Sequence, residues 1–387
     1  MAKLKQAAAA LCLGVFALFA LHAVARADVF PVGIVTPLSG GGADYGIAFQ
    51  NGVKMAAEEI NKAGGISVAG RTYTIEPVFC DDEFKPDKAV NCGKELAAQR
   101  KVRVIMTPSS LAAFPMMGFN QQQGFMLMAT SQTPKFTTLG NKLVVRFTNN
   151  TDRTMEPWVN LVNAYFQKEG KAVKKVAIMV VNTELGKSWA DNFARYWAKL
   201  PGASVVGKAS YDANDTDFYP QLSTLLPNEP DALVLTTVCQ PSAIVIKQAR
   251  ELGFKGPIIN SAACSGEELA KLLPAEQTNG TILELSGWGA DDPAITAFKK
   301  AYQDKFNLTP QQISGLGYDG LRWLARAVSD AGSVDDATKI RAAMPAALAA
   351  TKTMFSMSNL DQAGDIDMPV LVGIMSNGKV TAFSGAK

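Results

Sequence analysis

Twice along this chain, short β-branched apolar runs alternate with amphipathic stretches of helical period. Val29–Val35 reads as a buried strand, a glycine turn follows at Ser39–Gly42, and a helix spans about 45–63 before stopping at Gly64-Gly65. Strands at 73–79, 102–106, 125–129 and 143–147 follow, with helices at 86–99 and 111–122 between them. The beat resumes after Asn149-Asn150. Strands at 175–181, 204–209, 232–236 and 257–260 are set between helices at 154–169, 185–200, 218–226 and 242–252. Such a pattern requires parallel sheets covered by helices on both faces. The tail has helices at 294–306, 314–331 and 336–348 and strands near 353–357, 369–375 and 379–383, too little sheet to fold alone. It therefore completes the two βα series, and the chain must cross between them several times.

The first residues make a different pattern. Met1-Ala-Lys3-Leu-Lys5 is basic, Ala7–Ala25 is apolar, and Ala25-Arg26-Ala27 precedes Asp28. That is a secretory leader cleaved after Ala27, with an uncleaved membrane anchor as the rival reading. Losing Lys3, Lys5 and Arg26 brings the 38 basic residues level with the 35 acidic ones. No basic field then remains to attract nucleic acid or an anionic membrane. The single histidine, His22, also leaves with the leader. A chain without imidazole is a poor candidate for a catalytic triad, a His-metal centre or a proton shuttle.

Four cysteines survive, and an even count in an exported chain suggests disulfides. Of three connectivities, Cys80–Cys92 and Cys239–Cys264 are preferred because each closes a local unit; four buried thiols are the alternative. The absence of any C-x-x-C removes support for a zinc knuckle or a thioredoxin-type site.

Nucleotide motifs fail as well. Gly40-x-Gly42 meets Tyr45 where the dinucleotide fingerprint needs glycine. Gly41 and Gly46 have phosphate-loop spacing, but Ile47 stands at the lysine. Gly186-Lys187-Ser188 has the right ending, but Val181 stands at the first glycine. Asp81-Asp82-Glu83 follows a strand and reads as a solvated turn rather than a metal or catalytic cluster. No cofactor, metal or catalytic group is expected.

Several local motifs, in order, carry a resemblance. They are Val32-Gly-Ile-Val-Thr-Pro-Leu-Ser-Gly40, Tyr45-Gly46, Ala57-Glu-Glu-Ile-Asn-Lys-Ala-Gly-Gly-Ile66, Asp215-Thr-Asp-Phe-Tyr-Pro-Gln-Leu222, Pro230-Asp-Ala232, Gln248-Ala-Arg250 and Tyr318-Asp319. Together they resemble the type I periplasmic solute-binding proteins of ATP-driven transporters, in the branched-chain amino-acid binding subfamily. The resemblance implies an α/β fold of two doubly wound parallel-sheet lobes joined by three hinge strands, with crossings near 148–151, 282–286 and 351–358. It divides the chain into a leader (1–27), a first lobe (28–148 plus 285–353) and a second lobe (149–284 plus 354–387). Ligand would sit between the lobes, where strand ends and helix N-termini face one cleft.

Carried over by position, the resemblance puts Tyr45 over the ligand and gives its carboxylate to Ser109 and Ser110. Thr130, Ser131 and Gln132 lie at its polar end, Gln132 replacing a hydroxyl by an amide. In the second lobe, Leu185, Val238 and Ala262 stand where amino-acid binders have two aromatics and the acid that holds the α-ammonium. Only Glu184 or Glu267 could restore that acid. An ammonium left unpaired in a closed cleft is costly. Trp288 and Tyr318 could add stacking surface or belong to the core. Arg153 could pair a carboxylate or be an ordinary surface arginine.

The expectation is therefore a periplasmic protein that captures a small organic anion, an aromatic or apolar monocarboxylate, by hinge closure. It would pass it to an ABC permease of the inner membrane, as a monomer without chemistry of its own. The rivals are an amino-acid or amide binder of the same family, and a sensor domain serving a separate signalling chain.

Overall fold

A computed structural model describes residues 28–212, 214–285, 288, 292–383 and 385 of the chain; the expected leader lies outside them. The first sheet comprises β1 (Asp28–Thr36), β2 (Ile66–Val68), β3 (Arg71–Asp81), β4 (Val104–Thr107), β5 (Met126–Ala129) and β6 (Val144–Arg146), in the order β2-β3-β1-β4-β5-β6. All neighbours are parallel except β2 with β3. The second sheet comprises β7 (Lys175–Val181), β8 (Ser204–Tyr211), β9 (Ala232–Leu235), β10 (Ile258–Asn260), β11 (Ile282–Leu285), β12 (Leu371–Ser376) and β13 (Lys379–Phe383). Its order is β13-β12-β11-β10-β9-β7-β8, with β12 and β13 added antiparallel at one edge. This is the expected α/β architecture of two sheets wound with helices on both faces. The central strands are apolar throughout because both faces are covered.

One face of the first sheet, with Phe30, Val32, Ile34, Val104 and Met106, packs against helices Ala43–Lys62, Gln312–Ala331 and Ala337–Ala350. The other face, with Val35, Ile105 and Leu127, packs against helices Pro86–Ala98 and Ser110–Met117. Two glycines permit this packing. A Cβ at Gly52 would lie 1.8 Å from the Ser314 carbonyl oxygen, and one at Gly46 would lie 1.7 Å from that of Pro37. Only glycine allows backbones so close.

The lobe boundary moves. The expected switch at 353/354 comes later, because Met354, Phe355, Met357, Leu360, Ile366 and Met368 all bury in the first lobe's core. Val370 and Val372 are the first residues to pack with the second lobe. The strand expected near 353–357 is also absent: Met354 and Phe355 donate their backbone N–H groups to buried Asp319, at 2.6 and 3.3 Å. Ser356 takes a left-handed φ of 51°. A carboxylate that captures two successive N–H groups removes them from any strand ladder.

The three crossings are tied near β6. Arg146 is fully buried and donates to Asp365, to the Ser131 carbonyl and, at 2.9 Å, to the Thr133 carbonyl. Asp365 in turn accepts from Asn150 Nδ2 at 2.7 Å and Thr137 Oγ1 at 3.0 Å. At the second crossing, buried Glu284 accepts from Trp189 Nε1 at 2.9 Å and Asn149 Nδ2 at 3.3 Å. Burial pushes the Glu284 carboxyl above its ordinary range. Among the described residues no helix is long and apolar enough to cross a membrane.

Two buried aspartates set a pH dependence. Burial pushes Asp82 up to about 6 and Asp319 up to about 7, and each has one carboxyl oxygen without a hydrogen-bond partner. Both titrate near 4 when unfolded. A folded pKa raised in this way adds stability at low pH that is lost as pH rises through 6 to 7. The melting temperature should fall from about pH 4 to about pH 7, with stability dropping on the order of a few kcal/mol. Asp319→Asn should flatten that fall in a calorimetric pH series; an unchanged slope would contradict the assignment.

Candidate ligand-binding cleft

The strand ends of both sheets face one cavity between the lobes. Of the expected site residues, Tyr45, Ser109, Ser110, Thr130 and Gln132 line it from the first lobe, and Leu185, Val238 and Ala262 from the second. Phe84, Thr148, Thr183, Gln312, Ile313 and Leu316 join them, and none of these was singled out by sequence.

The first-lobe wall is polar and held in place. Ser109 caps the helix Ser110–Met117, its Oγ accepting from the Leu111 N–H at 3.1 Å. The first turn of that helix points N–H groups without intrahelical partners at the strand ends. Ser110 Oγ donates to Ser131 Oγ at 2.7 Å, and Thr130 Oγ1 to the Pro108 carbonyl at 2.7 Å. Ser131 thus stands behind the wall, its hydroxyl paired to Ser110 and its carbonyl to Arg146. Tyr45 reaches the same Pro108 carbonyl at 3.5 Å. Burial pushes its phenol up, so it remains neutral.

Phe84 arrives by an unusual turn. Glu83 and Phe84 have φ of 48° and 59°, a left-handed conformation costing non-glycine residues roughly 1–2 kcal/mol each. Asp81 and Asp82 compensate. Asp81 accepts from the N–H groups of Leu38 and Glu83, both at 2.8 Å, and from Ser39 Oγ at 2.7 Å. Asp82 accepts from the Phe84 N–H at 3.0 Å. The solvated-turn reading of this acidic run is corrected for Asp82, which is fully buried. The Cys80–Cys92 disulfide anchors the base of the turn, and the Phe84 ring lies against Gly42, 3.2 Å from where a Cβ would stand. An apolar residue at the end of an acidic turn was the available sequence signal.

The second-lobe wall is apolar. The Cys239–Cys264 disulfide, with Cα atoms 4.5 Å apart, joins its two loops at residues adjacent to Val238 and Ala263. Thr183 caps the helix Glu184–Trp197, accepting from the Gly186 N–H at 3.0 Å, which sets Leu185 in the first turn.

The other expected residues lie elsewhere. Trp288 stacks on Phe355 at 5.8 Å within the first core, under Lys299. Tyr318 packs at 5.1 Å from Phe298 and bonds to Glu59. Both sit on the layer that covers the sheet, away from the strand ends. Arg153 pairs with Asp361 and, at 3.0 Å, with Asp367, bracing the crossings. Neither candidate acid lines the cavity. Glu184 pairs at the rim with Lys135 of the opposite lobe at 2.7 Å, and Glu267 pairs with Lys299 at 3.1 Å. Among the described residues, the cavity lining contains no charged side chain. Among the described residues no group of three or more His, Cys, Asp or Glu side chains is placed to hold a metal.

The Lys135–Glu184 pair spans the two lobes, and Gly41 approaches Asn214 across the same gap, 3.3 Å separating the glycine's Cβ direction from Asn214 Oδ1. The lobes are closed over the cavity, the state in which a ligand would touch both walls.

Comparison with known proteins gives a consistent result. The periplasmic binding protein family profile matches residues 30–370. The Leu/Ile/Val-binding protein BraC3 of Rhizobium johnstonii is 24% identical over 83% of this chain and 84% of its own. The structure of the branched-chain amino-acid transporter substrate-binding protein LivJ from Streptococcus pneumoniae, in complex with isoleucine, superposes with a TM-score of 0.78 at 24% identity, over 92% of this chain and 99% of that one. A solute-binding protein of an ABC transporter from R. palustris, in complex with benzoate, also gives 0.78, at 20% identity, over 92% and 95% of the two chains.

Removing the Cys239–Cys264 bridge should loosen the second-lobe wall. Cys239→Ala with Cys264→Ala opens a 25-residue loop, which should cost roughly 3 kcal/mol. Hydrogen exchange should rise most at residues 236–239 and 261–265. Uniform loss of protection would show that the bridge does not hold these loops in particular.

Proposed function

This chain belongs to the periplasmic binding protein family, and from that premise we propose that it captures an apolar monocarboxylate, aromatic or aliphatic, for an ATP-driven permease. Members of the family bind solutes and are not enzymes. In this reading the Ser109 hydroxyl, the Ser110 backbone N–H and the Gln132 amide receive the carboxylate, Thr130 braces the Pro108 loop beside it, Tyr45 and Phe84 cover it, and Leu185, Val238 and Ala262 bound its apolar body. Residues 1–27 act as the export leader, and the mature protein works as a periplasmic monomer.

The observation that carries the ligand class is the uncharged lining of the cavity. An α-ammonium closed into it would meet no carboxylate, at a cost of several kcal/mol in order of magnitude. A single carboxylate fares better, because hydroxyls and helix N-terminal N–H groups stabilise an anion without a counter-charge. The same lining disfavours a dianion. The relative named for leucine, isoleucine and valine favours the second reading, an amino-acid binder, which would require Glu184 to leave Lys135 or Glu267 to leave Lys299.

A thermal-shift series with benzoate, phenylacetate, hexanoate, leucine and isoleucine separates the two. A ligand at 100 times its Kd adds about 2.7 kcal/mol. The expected result is stabilisation by acids and none by amino acids. Stabilisation by leucine or isoleucine alone would reject the monocarboxylate reading. Phe84→Ala should weaken the bound acid about tenfold, from lost apolar contact.

A further inference from the structure

Two lining residues of the cleft, Gln132 and Gln312, carry neutral amides with no hydrogen-bond partner among the described residues. Gln132 is 5% exposed and Gln312 6%, both line the cavity, and neither side-chain amide is hydrogen-bonded to another described residue. Their backbones are fixed. The Gln132 carbonyl accepts from the Thr151 N–H at 2.9 Å. Gln312 opens the helix Gln312–Ala331, whose preceding residue, Gln311, accepts from the Ser314 N–H at 3.0 Å. Both amide groups face the accessible space of the cavity, so a ligand that fills it must either pair with them or strip them of water at a cost.

The two amides reach the cavity from opposite faces of the first sheet. The loop of Gln132 continues into Phe136, which packs with Val35, Ile105 and Leu127. Gln312 precedes Ile313 and Leu316, which pack with Val32, Ile34 and Val104. Gln132 lies with the hydroxyls of Ser110 and Thr130, whereas Gln312 lies among the apolar side chains of Ile313 and Leu316. Two amides entering from different faces of the sheet can meet two different groups of one ligand.

We propose that the ligand is a carboxylic acid carrying a second, uncharged hydrogen-bonding group remote from its carboxylate, and that Gln312 recognises that group. A primary amide both donates and accepts, so it suits a hydroxyl, a keto oxygen or a carboxamide, and it offers no charge to a second carboxylate. This rests on the monocarboxylate reading and narrows it. A site built to hydrogen-bond a substituent discriminates strongly against the analogue lacking it, because its own polar group is then left unpaired.

The test is calorimetric titration of the wild-type protein and Gln312→Leu with benzoate and 4-hydroxybenzoate, phenylacetate and 4-hydroxyphenylacetate, and cinnamate and 4-hydroxycinnamate, with leucine alongside. In at least one pair the hydroxylated acid should bind about tenfold more tightly or better. Gln312→Leu should abolish that preference, the two members of each pair then binding alike. Gln312→Met, closer in shape, repeats the measurement if the leucine variant melts early. Parent acids bound as tightly as all their hydroxylated partners, or a preference that survives in both variants, would overturn this inference alone. Binding of leucine with no acid bound would overturn the monocarboxylate reading and this inference with it.

Discussion

The guanidinium of Arg146 has no exposed surface, and much of the cleft is referred to it. It holds the carbonyls of Ser131 and Thr133, and so fixes the loop that presents Gln132. It also holds Asp365, which holds Asn150 at the start of the second lobe. A buried ion pair is weak evidence for stability in itself, since desolvation offsets most of the attraction. Its worth here is geometric. The site loop, the first crossing and the segment before the third crossing share one set of hydrogen bonds, so the position of the site and the relative placement of the lobes cannot vary independently. Removing one partner would leave the other charged and buried.

The two walls of the cleft do different physical work. The first lobe offers amides, hydroxyls and a helix N-terminus, the last two already oriented by neighbours such as Pro108, Thr107 or Ser131. The second offers Leu185, Val238 and Ala262 on loops joined by a disulfide. Directional groups on one side and shape on the other mean that a ligand can be oriented before closure and enclosed after it. Pre-orientation reduces the entropy lost on binding.

Much of the fold was legible because the strands are short, apolar and regularly spaced, and the helices carry clear amphipathic faces. Strands such as Lys175–Val181 and helices such as Gln312–Ala331 need only periodicity. What was not legible depended on contacts distant in sequence. The apolar run at 353–357 looked like a strand until Asp319 was placed beside it. Asp82 looked solvated until the backbone of Phe84 was folded over it. In the cleft, positions that follow strand ends could be named in advance, because topology puts them there. Phe84 and Gln312 could not, since one depends on a left-handed turn and the other on where a late helix docks. Trp288 and Tyr318 show the converse: aromatic character alone does not distinguish a wall of the cleft from the core behind it.

The late helix has a further consequence. One face of the first sheet is covered in large part by residues 312–350, which follow the whole parallel portion of the second sheet in the sequence. A chain emerging from its N-terminus therefore completes its second lobe's parallel strands while Val32, Ile34 and Met106 still lack much of their cover. The part of the molecule that is made first waits for a segment made near the end. Such long-range contacts slow folding and leave apolar surface exposed in the interval. They also bar the lobes from being separated into independently inherited pieces: neither can be cut from the sequence as one continuous stretch and retain its core.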